Sequence, residues 1–238
     1  MKKLTAAILV AAFAVPSFAA GQAAQSAAPA DKKTQTETAA PAKKEPLTAA
    51  AVADKLKELD ASLQTLQCSF SQTITFGDSG IASKITGRLS YEKPSKLRIE
   101  HITPQKQVVY TDKSTITIYK PEDSQVVKMR WEDWKRQQMA MFSGISDFGS
   151  YSSIIEKHRA TVTETPKAIK LTLTPKENPK LYTLILTLSP KDYFIEEITL
   201  RAGTTKAVTK LENVERNGKI PPELFEFKAP AGAEVLEF

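Results

Sequence analysis

Residues 85–119, ITGRLSYEKPSKLRIEHITPQKQVVYTDKSTITIY, contain four runs that are rich in β-branched and aromatic residues. Pro94 and Pro104 separate the first three runs, and such prolines end strands because they cannot donate a hydrogen bond to a sheet. The connections are only a few residues long, which favours antiparallel neighbours over parallel strands with crossover helices. This stretch therefore predicts the middle of an antiparallel sheet.

The predicted sheet extends on both sides of this stretch. Upstream, Phe70, Gln72 and Ile74 alternate with small polar residues. Downstream, further strands are predicted at residues 125–129, 160–164, 168–174, 181–188, 194–201 and 207–214. A sheet of about 10–11 strands has to curl or partly close because its twist accumulates. We therefore predict a mainly β fold with some α: a curved antiparallel sheet or incomplete β-barrel, covered by a helical lid.

Helical segments precede and interrupt the strands. After Thr48, a predicted N-cap, apolar residues recur at spacings of three and four, as in an amphipathic helix: Val52, Leu56, Leu59, Leu63 and Leu66. Residues 130–142 combine helix formers with an apolar face, and a second short helix is expected at about 150–157. The pattern predicts that these helices cover one face of the sheet.

The N-terminus has the pattern of a secretory leader. Lys2 and Lys3 precede an apolar run that ends at Pro16, and small residues follow. This predicts a signal peptide over residues 1–19, cleaved near Ala19–Ala20, and hence export to the periplasm. The alternative, an uncleaved anchor, is disfavoured because a bilayer span needs about 20 apolar residues. No cysteine directly follows the run, so the protein is not itself predicted to carry a lipid.

Residues 20–46 are rich in Ala, Pro, Lys, Thr and Gln, which predicts a disordered linker before a domain at residues 47–238. The chain has a formal charge of +6. Leader and linker carry about half of this charge, and the remainder is spread along the domain. Nucleic-acid binding, which needs a clustered basic surface, is therefore not expected.

The sequence offers little for catalysis. It contains no nucleophile elbow, phosphate-binding loop or zinc-protease motif, and it has two histidines and one cysteine. We expect His101 and His158 to be surface residues or hydrogen-bonded structural residues, and Cys68 to be a buried thiol. We therefore predict no enzymatic activity, no cofactor and no metal site.

Apolar residues occur on both faces of several predicted strands, and Trp131 and Trp134 begin the mid-chain helix. By itself this pattern favours a packed core between sheet and helices. An adaptable apolar ligand cavity is the alternative.

Four segments in order resemble the LolA family of periplasmic lipoprotein carriers. They are the strand start Ser69–Gln72, the element Gly87–Pro94 followed by Leu97, the hairpin at residues 108–121, and the closing segment Phe225–Val235. The likeness spans about residues 47–238. It implies an incomplete antiparallel barrel with a helical cover, in agreement with the residue pattern.

The resemblance implies a cavity for acyl chains and a basic residue that latches the lid by hydrogen bonds to its backbone. Lys93 occupies the latch position, where the best-known members have arginine. The candidate cavity residues are Phe70, Ile74, Leu89, Tyr91, Leu97, Ile99, Ile116, Ile118, Trp131, Trp134, Met139 and Phe142.

The partners implied are acylated lipoproteins, an inner-membrane ABC transporter of the Lol type and an outer-membrane acceptor. We expect the protein to act as a monomer. Two alternatives remain open at this point: a related carrier or sensor of another lipid, such as a glycolipid or phospholipid, and a non-catalytic interaction module of the cell envelope.

Overall fold

Alternating apolar and polar residues produce one open, curved sheet in the computed structural model, which describes residues 46–77, 79–137 and 151–238. The strand order is β12-β6-β5-β4-β3-β2-β1-β11-β10-β9-β8-β7. The strands are β1 Thr65–Phe76, β2 Ala82–Glu92, β3 Lys96–Thr103, β4 Gln107–Thr111, β5 Thr115–Lys120, β6 Gln125–Arg130, β7 His158–Glu164, β8 Ile169–Pro175, β9 Thr183–Leu188, β10 Ile195–Ala202, β11 Thr205–Arg216 and β12 Glu234–Glu237.

The predicted architecture is confirmed, with one strand more than the sequence suggested. Strands β1 to β11 pair antiparallel with their neighbours, whereas the short β12 pairs parallel with β6. Four residues are too few to show a period, and β12 is defined by its partner strand rather than by its own sequence. The C-terminal segment therefore adds an edge strand that the alternation could not predict.

The described helices are α1 Ala49–Ser62, α2 Trp131–Gln137 and α3 Tyr151–Glu156. The predicted cap is present, since the Thr48 hydroxyl oxygen accepts from the Ala51 N–H at 3.2 Å. The assignment of Leu66 to the helix was wrong. It lies in β1, because the chain becomes extended at Leu63 and the strand begins at Thr65.

The core lies between the sheet and two helices. Val52, Leu56 and Leu59 of α1 and Ile154 of α3 pack into one cluster with the buried residues of β1–β3 and β8–β11. Helix α2 packs instead against β5 and β6. The N-terminal helix α1 and the mid-chain helix α2 thus lie on the apolar face of the sheet, as the amphipathic pattern predicted.

The C-terminal segment lies against the other face. The ring of Phe227 packs on Tyr110 and Tyr119, with ring centroids 5.3 Å and 5.6 Å apart. A single 3-10 turn, Pro222–Phe225, precedes this contact, and β12 follows it. Among the described residues, no helix combines the length and apolar character needed to cross a membrane.

Candidate functional site

Two rows of side chains cross one half of the sheet on the face covered by α1. Residues paired directly across strands point to the same face, so the pairing register identifies each row. The first row is Leu66, Tyr91, Leu97, Thr111, Ile116 and Met129, and the second is Cys68, Leu89, Ile99, Val109, Ile118 and Val127. All are buried except Val109, which is half-buried. Together they form a continuous apolar surface six strands wide, from β1 to β6.

A third row continues this surface across the other half of the sheet. It consists of Ile74, Ala207, Leu200, Leu184, Leu173 and Ala160, again as successive register partners. The buried leucines of helix α1 belong to the same core cluster as members of all three rows. In the described structure, the protein's own helix therefore occupies much of the apolar face.

Helix α2 covers a second group of buried apolar side chains, on β5 and β6. The rings of Trp131 and Trp134 stack with centroids 4.9 Å apart and an angle of 19° between their planes. Both indoles are buried, as are Ile116 and Ile118 on the strand below. The apolar face thus has two adjoining covered parts, one under α1 and α3 and one under α2.

Lys93, directly after β2, joins the sheet to the end of α1. Its ammonium donates to the carbonyl oxygens of Asp60 at 3.1 Å and Ala61 at 3.2 Å. These carbonyls lie in the last turn of α1, where the helix has no backbone N–H to offer them. A cation at this position also interacts favourably with the helix dipole. The side chain therefore fixes the C-terminal end of the helix to the sheet.

The same turn of α1 holds the start of α3. The carboxylate of Asp60 accepts from the Ser152 N–H at 2.8 Å. Asp60 thus contacts Lys93 through its backbone and α3 through its side chain. The two covering helices and the end of β2 consequently meet at one residue.

Burial governs the titration of the groups inside this face. It raises the pKa of the Tyr91 hydroxyl, with a further upward contribution from the Asp60 carboxylate. It also raises the pKa of the Cys68 thiol to about 12, so this cysteine is protonated and inert at neutral pH. Burial lowers the pKa of His101, whose ring packs edge-on against Phe70. These shifts all favour the uncharged forms of Tyr91, Cys68 and His101.

His158 is buried and hydrogen-bonded rather than at the surface. Its Nδ1 donates to the Ile154 carbonyl oxygen at 2.6 Å, and its Nε2 lies 2.8 Å from the Tyr182 hydroxyl. Within the described residues, no group of three or more His, Cys, Asp or Glu side chains could hold a metal ion.

Gly87 allows Phe70 to enter the apolar face. The two residues are paired across β1 and β2. A Cβ atom at Gly87 would lie 2.5 Å and 2.6 Å from two ring carbons of Phe70, which real side chains do not tolerate. The backbone oxygen of Glu100 would lie closer still, at 2.3 Å, so an added side chain would have to displace backbone as well as the ring.

The structure brings most of the candidate cavity residues to this face. Ten are buried: Phe70, Ile74, Leu89, Tyr91, Leu97, Ile99, Ile116, Ile118, Trp131 and Trp134. Met139 and Phe142 lie outside the described residues. The hydrogen bonds of Lys93 agree with a latch, but its role, like the binding of lipid by the other residues, stays a prediction.

Sequence reasoning missed Asp60 and, apart from Ile74, the third row. Asp60 lies on the polar side of a regular helix pattern, and its contact with Ser152 is 92 residues distant along the chain. The leucines of β8 and β9 were recognised as strand residues. Their place on the same face as Phe70 follows only from the strand order, in which β11 rather than β7 pairs with β1.

An open, mostly antiparallel sheet with an apolar face under short helices defines the incomplete-barrel fold class. An uncharacterized conserved protein from Thermus thermophilus has this fold, with a TM-score of 0.52 at 13% identity over 80% of this chain and 99% of that one.

The family model for outer membrane lipoprotein carrier protein LolA matches residues 61–228, and the chain belongs to this family. An outer-membrane lipoprotein carrier protein of Coxiella burnetii is 24% identical over 188 residues, which cover 77% of this chain and 85% of that protein. The protein of the same name from Pseudomonas syringae is 26% identical over 184 residues, with coverage of 77% and 86%.

Proposed function

We propose that this protein is a periplasmic carrier of lipoproteins. In this proposal its apolar face binds the acyl chains of lipoproteins released from the inner membrane and shields them until they reach the outer membrane. The observation that carries the proposal is the set of three apolar rows under helices fixed at one end by Lys93 and Asp60. Membership of a family of lipoprotein carriers supports it. The proposed role involves no catalytic step.

Acyl chains and α1 would compete for the same surface. Removing the four buried side chains Val52, Leu56, Leu59 and Leu63 from the face forfeits roughly 6–12 kcal/mol, at about 1.5–3 kcal/mol each. Burying acyl methylenes returns about 0.8 kcal/mol each, so about 8–15 methylenes offset the loss. A single fatty-acyl chain is therefore enough to offset displacement of the helix, and the cost of that displacement lowers the net affinity for cargo.

Lys93 has the role of a latch in this exchange. Its two hydrogen bonds stabilise the closed, empty state relative to an open state that accepts cargo. When a ligand binds only the open state, its apparent affinity is the intrinsic affinity multiplied by the fraction of protein that is open. A larger closed fraction therefore lowers the apparent affinity. The latch therefore favours release, and transfer can run toward an acceptor of higher affinity without an energy source in the periplasm.

The proposed partners follow from this cycle. An inner-membrane ABC transporter of the Lol type would supply the acylated lipoproteins, and an outer-membrane acceptor would receive them. The leader at residues 1–19 and the linker at residues 20–46 would deliver a carrier domain, residues 47–238, to the compartment between the two membranes.

Photo-crosslinking during lipoprotein release tests the binding surface directly. Val108 and Val109 are adjacent, identical in type and both half-buried, but they point to opposite faces of β4. A photoreactive amino acid is placed at either position, and the protein is incubated with inner-membrane spheroplasts. The expected result is release of lipoproteins into the supernatant and crosslinks to their acyl chains from position 109 only.

Each other outcome contradicts part of the proposal. Equal crosslinking from positions 108 and 109 would show that acyl chains do not select the apolar face. Absence of released lipoprotein, with a phospholipid or glycolipid found in the protein by mass spectrometry, would assign the face to another lipid. Absence of any bound lipid would favour an envelope interaction module.

A further inference from the structure

Four strand connections lie side by side at one end of the sheet. They join β3 to β4, β1 to β2, β10 to β11 and β8 to β9, and these pairs are consecutive in the strand order. The Gly77 N–H donates to the Thr204 carbonyl at 3.0 Å and so ties the second connection to the third. The hydroxyls of Thr86 and Thr103, 2.7 Å apart, join β2 to β3 near the same end. We name the described residues of this end, 79–84, 102–106, 176–181 and 201–206, the basic end.

Exposed aliphatic side chains are concentrated at the basic end. The exposed fraction is 63% for Ile81, 39% for Ile102 and 54% for Leu181. Ile81 and Leu181 lie in two of the connections and Ile102 lies at the end of β3, and neighbouring residues at these places are also exposed. Three large aliphatic side chains exposed to water at one end of the sheet favour a surface that meets an apolar partner.

The charges of the same residues are strongly one-sided. The exposed cations are Lys84, Lys106, Lys176, Lys180, Arg201 and Lys206, against the single described anion Glu177. The next connection, between β5 and β6, carries Glu122 and Asp123, so the cationic surface ends there. A partner that fits this surface has an anionic outer layer and an apolar layer directly beneath it.

We propose that the basic end docks on the surface of a bilayer that contains anionic phospholipids. The three aliphatic side chains enter the boundary between head groups and acyl chains, and the cations pair with the lipid phosphates. Charge complementarity selects this partner, since the exposed cations outnumber the one described anion. The three aliphatic side chains are few and stand apart, which suits shallow insertion. The inference does not rest on the carrier function, because membrane docking needs no cargo.

Vesicle co-sedimentation of the protein expressed from Met1 and purified after export, so that the predicted leader does not contribute, tests the proposal. The vesicles contain phosphatidylethanolamine with phosphatidylglycerol, or phosphatidylcholine alone. We expect binding to the anionic vesicles, weakened by salt. Replacing Ile81, Ile102 and Leu181 with serine should lower the partition coefficient about tenfold or more. The matched control, Val214→Ser with Phe238→Ser, changes exposed apolar residues outside the basic end and should bind as the unaltered protein does.

A second pair of variants tests the charges separately. Lys106, Lys180 and Lys206 are replaced by glutamine in one variant, and the exposed Lys167, Lys191 and Lys219 in the other. Each lysine close to an anionic surface strengthens binding about fivefold, so the first variant should lose roughly a hundredfold and the second much less. All the altered side chains are exposed, and circular dichroism verifies that each variant is folded.

Three results would overturn the inference. They are absence of binding to anionic vesicles, equal loss in test and control variants, or equal binding to phosphatidylcholine. The alternative occupant of the basic end is a second copy of the chain, and light scattering tests for this dimer. A concentration-dependent dimer that the three serine substitutions abolish, without vesicle binding, would assign the basic end to self-association.

Discussion

Replacing Lys93 with methionine removes the ammonium from the end of α1 and keeps most of the aliphatic stem. The carbonyls of Asp60 and Ala61 then lose the donor that lies 3.1 Å and 3.2 Å from them. Ser152 and the Asp60 carboxylate are unchanged, so α3 retains its own contact with α1. The substitution therefore tests the lysine contact alone.

The expected effect is a loosening of α1 from the sheet. A hydrogen bond from a charged donor contributes about 1.5–3 kcal/mol, and two carbonyls share this half-buried ammonium. We take about 2 kcal/mol for the pair, which changes the ratio of closed to open protein about 30-fold. By linkage, ligands that need the open state should bind about 30-fold more tightly and leave correspondingly more slowly.

Hydrogen exchange of the backbone amides measures the opening. Amides of α1 should exchange about 30-fold faster in Lys93→Met, whereas amides of the central strands β1 and β11 should change little. The second assay is transfer of a released lipoprotein to outer membranes, which should slow while release from spheroplasts persists. Lys93→Arg is the control, since it keeps the charge and offers more donors to the same carbonyls.

Two results would refute this reasoning. Equal acceleration of exchange in α1 and in the central strands would mean that the lysine stabilises the whole fold rather than a lid. Unchanged exchange and unchanged transfer would make Lys93 an ordinary charge at the end of a strand.

Three further predictions concern other parts of the same face. Gly87→Ala should destabilise the protein by about 1–3 kcal/mol in urea unfolding, because the added methyl group overlaps the Glu100 backbone oxygen and the Phe70 ring. Adding Phe70→Leu should restore the part that is due to the ring, and full additivity of the two changes would contradict the overlap with the ring. Cys68 should react with a thiol reagent at pH 8 about a thousandfold more slowly in the folded than in the urea-unfolded protein, because burial raises its pKa to about 12. Rapid reaction of Cys68 in the folded protein would refute its burial. Asp60→Ala should accelerate hydrogen exchange of the Ser152 amide about tenfold or more, because the Ser152 N–H loses a charged acceptor. Asp60→Asn is the milder control, and equal exchange in the unaltered protein and both variants would disprove the contact.

The sequence predicted the first apolar rows well because they follow from strand alternation. Leu89, Tyr91, Leu97 and Ile99 share a face wherever β2 and β3 pair as a hairpin, and the short turn at Pro94 leaves few other pairings. The resemblance to a known family added Lys93, whose position is set by local sequence. The boundary of α1 was predicted less well, because Leu66 continues the helical spacing although it lies in a strand.

Contacts between distant segments could not be predicted in the same way. The pairing of β1 with β11 joins residues about 140 positions apart, and alternation is the same whichever strand lies beside β1. Likewise, nothing local distinguishes Asp60 from the other polar residues of α1, and β12 is a strand only because β6 offers it an open edge.

The sequence by itself determined the kind of elements, their order and the apolar character of one face, because periodicity and turn residues act over a few positions. The tertiary structure alone decided how these elements meet: which rows become continuous, which helix turn receives the Lys93 ammonium, and which loops form the basic end. These features depend on contacts that close long loops of the chain. The free energy of such contacts is a property of the whole fold and cannot be inferred from any short stretch of sequence.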